Sequence, residues 1–174
     1  MFGGESLGDR IIVMSDSHGK VTPMKEIVRH NPEVKTFFFL GDGEGDIEHI
    51  LREYPCKNIY RVRGNCDFGN TIPLLFSTTL EYSNVTITAV HGHLQNVKIT
   101  KSYLHQLAKD TNADIVLYGH THKPEIVYDD GIYYVCPGSV SESRSGGNPT
   151  FAFIDITDDG HIVCSIAPVP PFTV

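Results

Sequence analysis

No stretch of this 174-residue chain is apolar for long enough to cross a bilayer. The longest apolar runs, such as Ile11–Met14, fall far short of the roughly 20 residues that a spanning helix needs. The N-terminal MFGGESLGDR has no apolar signal core. A soluble, cytoplasmic protein with no membrane partner is expected. Lys/Arg runs are also missing, and the formal net charge is −7. Such a chain repels nucleic acid unless bound metal ions or a local basic patch reverse the sign, so no stable nucleic-acid complex is expected. The four cysteines, Cys56, Cys66, Cys136 and Cys164, show neither CxxC spacing nor a dense framework. That speaks against a zinc knuckle and a disulfide scaffold, and for free thiols in a reducing compartment. Internal repeats and low-complexity linkers are absent too.

The chain does have 40% hydrophobic residues, enough for one compact core. Residues 1–9 are Gly-rich and polar and are expected to fray; residues 10–174 are read as a single domain. Ile11–Met14 and Thr36–Leu40 are short continuous apolar runs, the pattern of strands buried on both faces. Asn58–Val62 reads as a third strand. Between them lie helical stripes, one of Met24, Ile27 and Val28 and one of Ile47, Ile50, Leu51 and Tyr54. Thr22-Pro23 offers a cap and a first-turn proline for the first helix. This β-α-β-α-β order predicts a largely parallel sheet at the start.

The second half differs. Thr78–Tyr82 and Val85–Val90 alternate around Ser83-Asn84 like a hairpin, Thr100–Lys109 is helical, and Asp114–Tyr118 is another buried strand. Asp129-Asp130-Gly131 and Asp158-Asp159-Gly160 are further hairpin turn signals. Two packed sheets with helices outside are expected.

The segments just after the strands carry the chemistry. In order come Asp16-Ser17-His18, Gly41-Asp42, Gly64-Asn65-Cys66-Asp67, His91-Gly92-His93 and Gly119-His120-Thr121-His122. Five predicted strands thus each end in a nitrogen or oxygen donor. The C-terminal edge of parallel strands is the usual binding edge, so these segments can converge. Asp16/His18 and His120/His122 are i, i+2 pairs, which extended backbone would point the same way. The neighbouring glycines let the chain turn and approach closely. Carboxylate, imidazole and amide donors suit Mn²⁺, Ni²⁺, Fe²⁺, Zn²⁺ or Co²⁺ better than Ca²⁺.

At these motifs the chain resembles the calcineurin-like metallophosphoesterase superfamily, in particular its small prokaryotic YfcE-type phosphodiesterases. The family pattern is D-x-H, GD, GN-x-D or GN-H-E/D, H and GH-x-H in this order, and the likeness runs from about residue 10 to about residue 140, including Pro137-Gly138-Ser139. The resemblance implies an α/β fold, a four-layer α-β-β-α sandwich of two mixed sheets with helices outside. It also implies two divalent metal ions, with Mn²⁺ the first choice. Asp16, His18 and His122 would hold the first ion, Asn65, His91 and His120 the second, and Asp42 would bridge them. A metal-bridging water, as hydroxide, would attack phosphorus in line. Two divalent ions, two aspartates and a hydroxide leave the centre at about +1, which attracts a small phosphate-ester anion and matches a diester.

Other motif residues carry competing readings. Cys66 stands where many relatives have a histidine thought to protonate the leaving group; its plain reading is a buried, inert thiol. Asp67 is read as a carboxylate that orients a neighbouring ligand, with a capping role as the alternative. His93 is a candidate outer-sphere or acid group, or simply part of a turn. Arg144 is a candidate for substrate phosphate, or a solvated loop arginine. His30, His49, His105 and His161 lie outside the motifs and are read as surface or packing residues. Two rival functions are a non-catalytic scaffold like the retromer subunit of the same fold, and a metal-dependent nuclease. The complete donor set weighs against the first, and the acidic balance against the second. Exposed hairpins leave room for a homo-oligomer.

Overall fold

The computed structural model describes residues 8–68, 75 and 77–172. Of the residues expected to fray, 1–7 lie outside the described residues. The first strand begins at Asp9, which pairs with Ile156, one residue before the expected boundary.

The first half builds β1 (Asp9–Met14), α1 (Val21–His30), β2 (Thr36–Phe39), α2 (Glu44–Glu53) and β3 (Asn58–Arg61). The second half adds β4 (Ser77–Tyr82), β5 (Val85–Val90), α3 (Ser102–Thr111), β6 (Ile115–Tyr118), β7 (Pro124–Asp129), β8 (Ile132–Pro137), β9 (Thr150–Ile156) and β10 (Ile162–Pro168). The strands form two five-stranded sheets, ordered β10-β9-β1-β2-β3 and β4-β5-β6-β8-β7. Both are mixed. β1, β2 and β3 run parallel in one, β5, β6 and β8 in the other, and antiparallel strands complete the edges.

Side-chain alternation sorts the core into three layers. Ile11, Val13 and Phe38 point one way and meet Ile87, Ala89 and Leu117 of the other sheet. Ile12, Met14, Phe37 and Phe39 point the other way onto Met24 and Ile27 of α1 and Ile47 and Ile50 of α2. Val90, Val116 and Tyr118 meet Leu104 and Ala108 of α3. The result is the α-β-β-α sandwich, and it explains why the buried strands read as continuous apolar runs: both faces are covered.

Local signals fared unevenly. Ser83 and Asn84 both take positive φ, 49° and 62°, as a two-residue hairpin turn requires. Asp130 and Gly131 do the same between β7 and β8. The first helix is a correction. It starts at Val21 with Lys20 at the cap position and no side-chain capping bond, so Thr22 lies inside the first turn rather than before it. Burial of Pro23, Met24 and Ile27 sets the start.

Candidate metal centre

The C-terminal ends of β1, β2 and β3 lie at one edge of the first sheet and those of β5 and β6 at one edge of the second, and their loops meet there. Asp16, His18, Asp42, His120 and His122 all have positive φ, between 46° and 67°. The extended i, i+2 geometry expected for Asp16/His18 and His120/His122 is therefore corrected. Each of these residues sits in the left-handed region, which costs a non-glycine residue roughly 1–2 kcal/mol. Neighbouring loops hold them there. The Asp16 N–H donates to the Gly41 carbonyl at 3.0 Å and the His18 N–H to the Asp42 carbonyl at 3.0 Å. The Asp16 carbonyl accepts from the Ser139 and Ser141 hydroxyls at 2.7 and 3.0 Å. The close crossing of two loops demands glycine: a Cβ on Gly64 would stand 2.1 Å from Asp42 Oδ1.

Three candidate groups result among the described residues, one of which joins Cys66 to His18 and Asp42; the other two, the donor groups, carry no thiol. In the first of these two, Asp16, His18 and His122 bring one ligand atom each within 4.8 Å of one another; in the second, Asp42, His91 and His120 do so. Asn65 joins the second group, its Oδ1 3.2 Å from His91 Nε2. Asp42 lies between them. Its Oδ1 accepts from the Cys66 N–H at 2.7 Å, while Oδ2 is 3.9 Å from His18 Nε2 and 3.4 Å from His91 Nε2.

The hydrogen-bond partners decide the chemistry of these atoms. His91 Nδ1 lies 2.6 Å from the Leu40 carbonyl and His122 Nδ1 lies 3.1 Å from the Glu142 carbonyl. A carbonyl only accepts, so both neutral imidazoles carry their proton on Nδ1 and aim a lone pair inward from Nε2. His122 Nε2 then faces Asp16 Oδ1 at 3.1 Å and His18 Nε2 at 3.1 Å. His91 Nε2 faces His120 Nδ1 at 3.2 Å. Among the described residues, Asp16 Oδ1 is buried without a hydrogen-bond donor. The His18–His122 and His91–His120 nitrogens are close enough to share a proton, with roles set by the tautomer, while Asp16 Oδ1 is left without one; a cation at each cluster would satisfy all of these atoms together.

The electrostatics agree. Burial pushes the Asp16 and Asp42 carboxyls up, but bonds and charge from His122 and His91 outweigh it, and both end below the usual carboxylate range. His120 is pushed down to about 4 by burial and by the charges of His91 and Lys98, so it is neutral and ready to donate its lone pair.

The supporting residues were only partly foreseen. The Asp67 carboxylate accepts four backbone N–H groups: Asp42 and Gly64 at 2.8 Å on Oδ2, and Gly43 and Glu44 at 2.8 and 3.0 Å on Oδ1. It holds the Asp42 backbone and accepts from the start of α2, an earlier element; the expected alternative, capping of the segment that follows Asp67, falls on residues 69–74, which lie outside the described residues. Asp46, missed from the sequence, accepts from the Ser17 hydroxyl at 2.6 Å and the Gly19 N–H at 2.8 Å, pinning the loop of His18. Its only signal was an acidic residue in the first turn of α2. Cys66 corrects the buried-thiol reading: it is exposed, and its Sγ accepts from Asn65 Nδ2 at 3.1 Å, which turns the amide oxygen toward His91. The His93 ring lies 5.3 Å from that of His91 and 6.1 Å from that of His120. Arg144 is exposed, and its backbone N–H donates to the His122 carbonyl at 3.1 Å. His105 stacks on Tyr134 and the exposed His161 pairs with Asp159, away from the centre. A cleft of about 400 Å³ shares His18 and Asp42 with the centre and is also lined by Glu44, Gly45, Cys66 and Phe68.

The model of the calcineurin-like phosphoesterase superfamily domain matches residues 10–159. The chain belongs to that superfamily. It is 28% identical over 155 residues to the probable metallophosphoesterase YsnB of Bacillus subtilis, covering 88% of each. It is 30% identical over 136 residues to the phosphodiesterase YfcE of Escherichia coli, covering 75% of this chain and 68% of that one. Among solved structures, a predicted phosphoesterase from Streptococcus pneumoniae superposes with a TM-score of 0.75 at 28% identity, covering 93% of this chain and 98% of the other. Vacuolar protein sorting 29 of Cryptosporidium parvum shares the fold, with a TM-score of 0.74 at 17% identity over 93% of this chain and 98% of that one. Membership implies divalent metal ions, and the two donor groups are where this chain would hold them. No helix among the described residues is long and apolar enough to cross a membrane.

Proposed function

We propose that this protein is a metal-dependent phosphodiesterase acting on small phosphate diesters. Asp16, His18 and His122 would hold one divalent ion, Asn65, His91 and His120 a second, with Asp42 shared between them and Mn²⁺ the first candidate. One observation carries the reading: ring nitrogens of His18, His91, His120 and His122 converge with Asp16 Oδ1 and Asp42 Oδ2 within a few ångströms, and the buried Asp16 Oδ1 has no hydrogen-bond partner among the described residues. When bound, two such ions would supply Lewis acidity toward the phosphate oxygens and lower the pKa of a shared water, the usual source of the attacking hydroxide.

The chain's own residues set the rest. Asp67 fixes the Asp42 backbone, and Ser139 and Ser141 fix that of Asp16, so the carboxylates need no rearrangement when substrate arrives. His93, at the rim of the second donor group, is the acid candidate to test, although burial and the charge of His91 hold its pKa below the ordinary imidazole value, and the exposed Arg144 lies on the loop beside His122. The cleft lining contains no Lys or Arg among the described residues, so a monoanionic diester is accommodated better than a dianionic monoester. A nuclease would need a basic track along its groove.

The test is turnover of bis-p-nitrophenyl phosphate and p-nitrophenyl phosphate by metal-stripped protein, before and after reconstitution with Mn²⁺, Ni²⁺, Co²⁺, Fe²⁺ or Zn²⁺. Diester hydrolysis restored by metal is expected. Undiminished turnover in a verified metal-free sample, or a pure monoesterase profile, refutes the proposal.

A further inference from the structure

We infer that the cleft beside the metal centre is a subsite for a planar, uncharged aromatic substituent of the diester, such as a nucleobase, with Phe68 as its stacking platform. The inference rests on the phosphodiesterase reading and names the substrate class for that site.

Phe68 is 79% exposed, although it directly follows Asp67, which is buried in the clamp around Asp42. An exposed aromatic ring beside so constrained a residue gains by stacking when a flat partner arrives. The same cleft is lined by His18 and Asp42, so a phosphate held at the donor groups would have one of its two substituents directed along it. Room is kept by glycines. A Cβ built on Gly45 or on Gly19 meets nothing within 4 Å, so side chains there would project into open space at the cleft. Glu44, also in the lining, adds a carboxyl oxygen able to accept from an exocyclic amine.

Charge narrows the class further. Glu44, Asp46 and Asp67 are among the cleft's lining residues, and no Lys or Arg is, among the described residues. A substituent bearing further phosphates would meet like charge at close range, so polyphosphates and nucleic-acid strands fit poorly. A neutral base fits.

The chain lacks tryptophan, so Phe68→Trp places a single indole in the cleft. Adenosine 5′-(methyl phosphate) and ribose 5-(methyl phosphate) differ only in the base. Both are titrated into Mn²⁺-loaded protein as quenchers of that indole, and as inhibitors of bis-p-nitrophenyl phosphate turnover by wild type, Phe68→Ala and Phe68→Trp. In wild type the adenosine diester should bind about tenfold more tightly than the ribose diester, within the range of one base–aromatic stack. The preference should fall toward unity in Phe68→Ala and return in Phe68→Trp, with indole quenching by the adenosine compound alone. An unchanged preference in Phe68→Ala, or equal quenching by both compounds, overturns the inference. If no metal restores turnover, the phosphodiesterase reading fails on its own, while the quenching titration still decides whether Phe68 stacks on a base.

Discussion

Asp67 illustrates how a single side chain can organise a site without touching a ligand position. Its four accepted N–H groups come from the β2–α2 turn and from Gly64, the two segments that carry Asp42 and Asn65. Asp67→Asn would keep the shape but turn an amide NH₂ toward backbone donors. Loss of charge-assisted bonds of this kind should cost about 3 kcal/mol. Thermal unfolding should show the lower stability, and elemental analysis should show reduced metal occupancy; a variant with full occupancy and unchanged midpoint would remove Asp67 from this role. Cys66 calls for the opposite expectation. Partial loss of solvent around the sulfur and the nearby Asp42 charge raise its thiol pKa, so it keeps its proton at neutral pH and gives it up slowly. Cys66→Ala should change aryl-diester turnover far less than the hundredfold or more that loss of a general acid brings. A leaving-group series on wild type, Cys66→Ala and His93→Ala separates the candidates: if His93 protonates the alkoxide, its removal alone steepens the dependence on leaving-group pKa.

At the level of elements, strands deliver the donors and strained loops aim them. β1, β2 and β3 are held in register by parallel pairing, Ile11 opposite Thr36 and Phe37 opposite Ile59, so the loops carrying Asp16, Asp42 and Asn65 emerge side by side. The aiming is done by positive φ at five of the donors, which persists only because the loops bond to one another. Left-handed backbone elsewhere has no such function and can be relieved. Asn84, at φ 62° in the β4–β5 hairpin, sits at the opposite end of β5 from His91, and its turn requires positive φ. Asn84→Gly should stabilise the protein by about 0.5 kcal/mol or leave it unchanged, since asparagine already tolerates that region. Chemical denaturation measures this, and a loss of about 1 kcal/mol or more would show that the Asn84 side chain makes a bond the turn depends on.

Across the whole molecule, metal and protons compete for the same donors. Burial pushes the His91 pKa down, but its bond to Asp42 and the charges of Asp16 and Asp42 outweigh that and raise it. A raised folded-state value means that protonated His91 stabilises the metal-free fold below the ordinary imidazole pKa of about 6.5, a contribution lost as pH rises through the raised value. Asp16 and Asp42 are lowered, so their contribution is complete above the usual carboxylate range and fades only in stronger acid. Metal binding needs neutral imidazoles and therefore strengthens as pH rises. The gap in unfolding midpoint between Mn²⁺-loaded and chelated protein should widen from about pH 5.5 to about pH 8. Paired thermal scans measure it; a gap that narrows over that range contradicts the assignment of His91 as a ligand.

Strand positions were legible in the sequence because burial on both faces demands uninterrupted apolar runs, as in Ile11–Met14 and Phe37–Leu40. The hairpin at Ser83-Asn84 was legible because its backbone geometry restricts residue type. The superfamily was legible because the order of motifs along the chain marks it, and six of the seven candidate ligands fall in groups that could hold a metal because lone-pair chemistry depends on residue identity. Other features depended on non-local contacts. That Asp67 and Asp46 serve loops more than 20 residues away, that Cys66 is exposed and turns the Asn65 amide, and that five donors sit in left-handed backbone all follow from segments meeting across two sheets. No pattern in the chain encodes those meetings locally, because the energy that holds each strained loop comes from its neighbours.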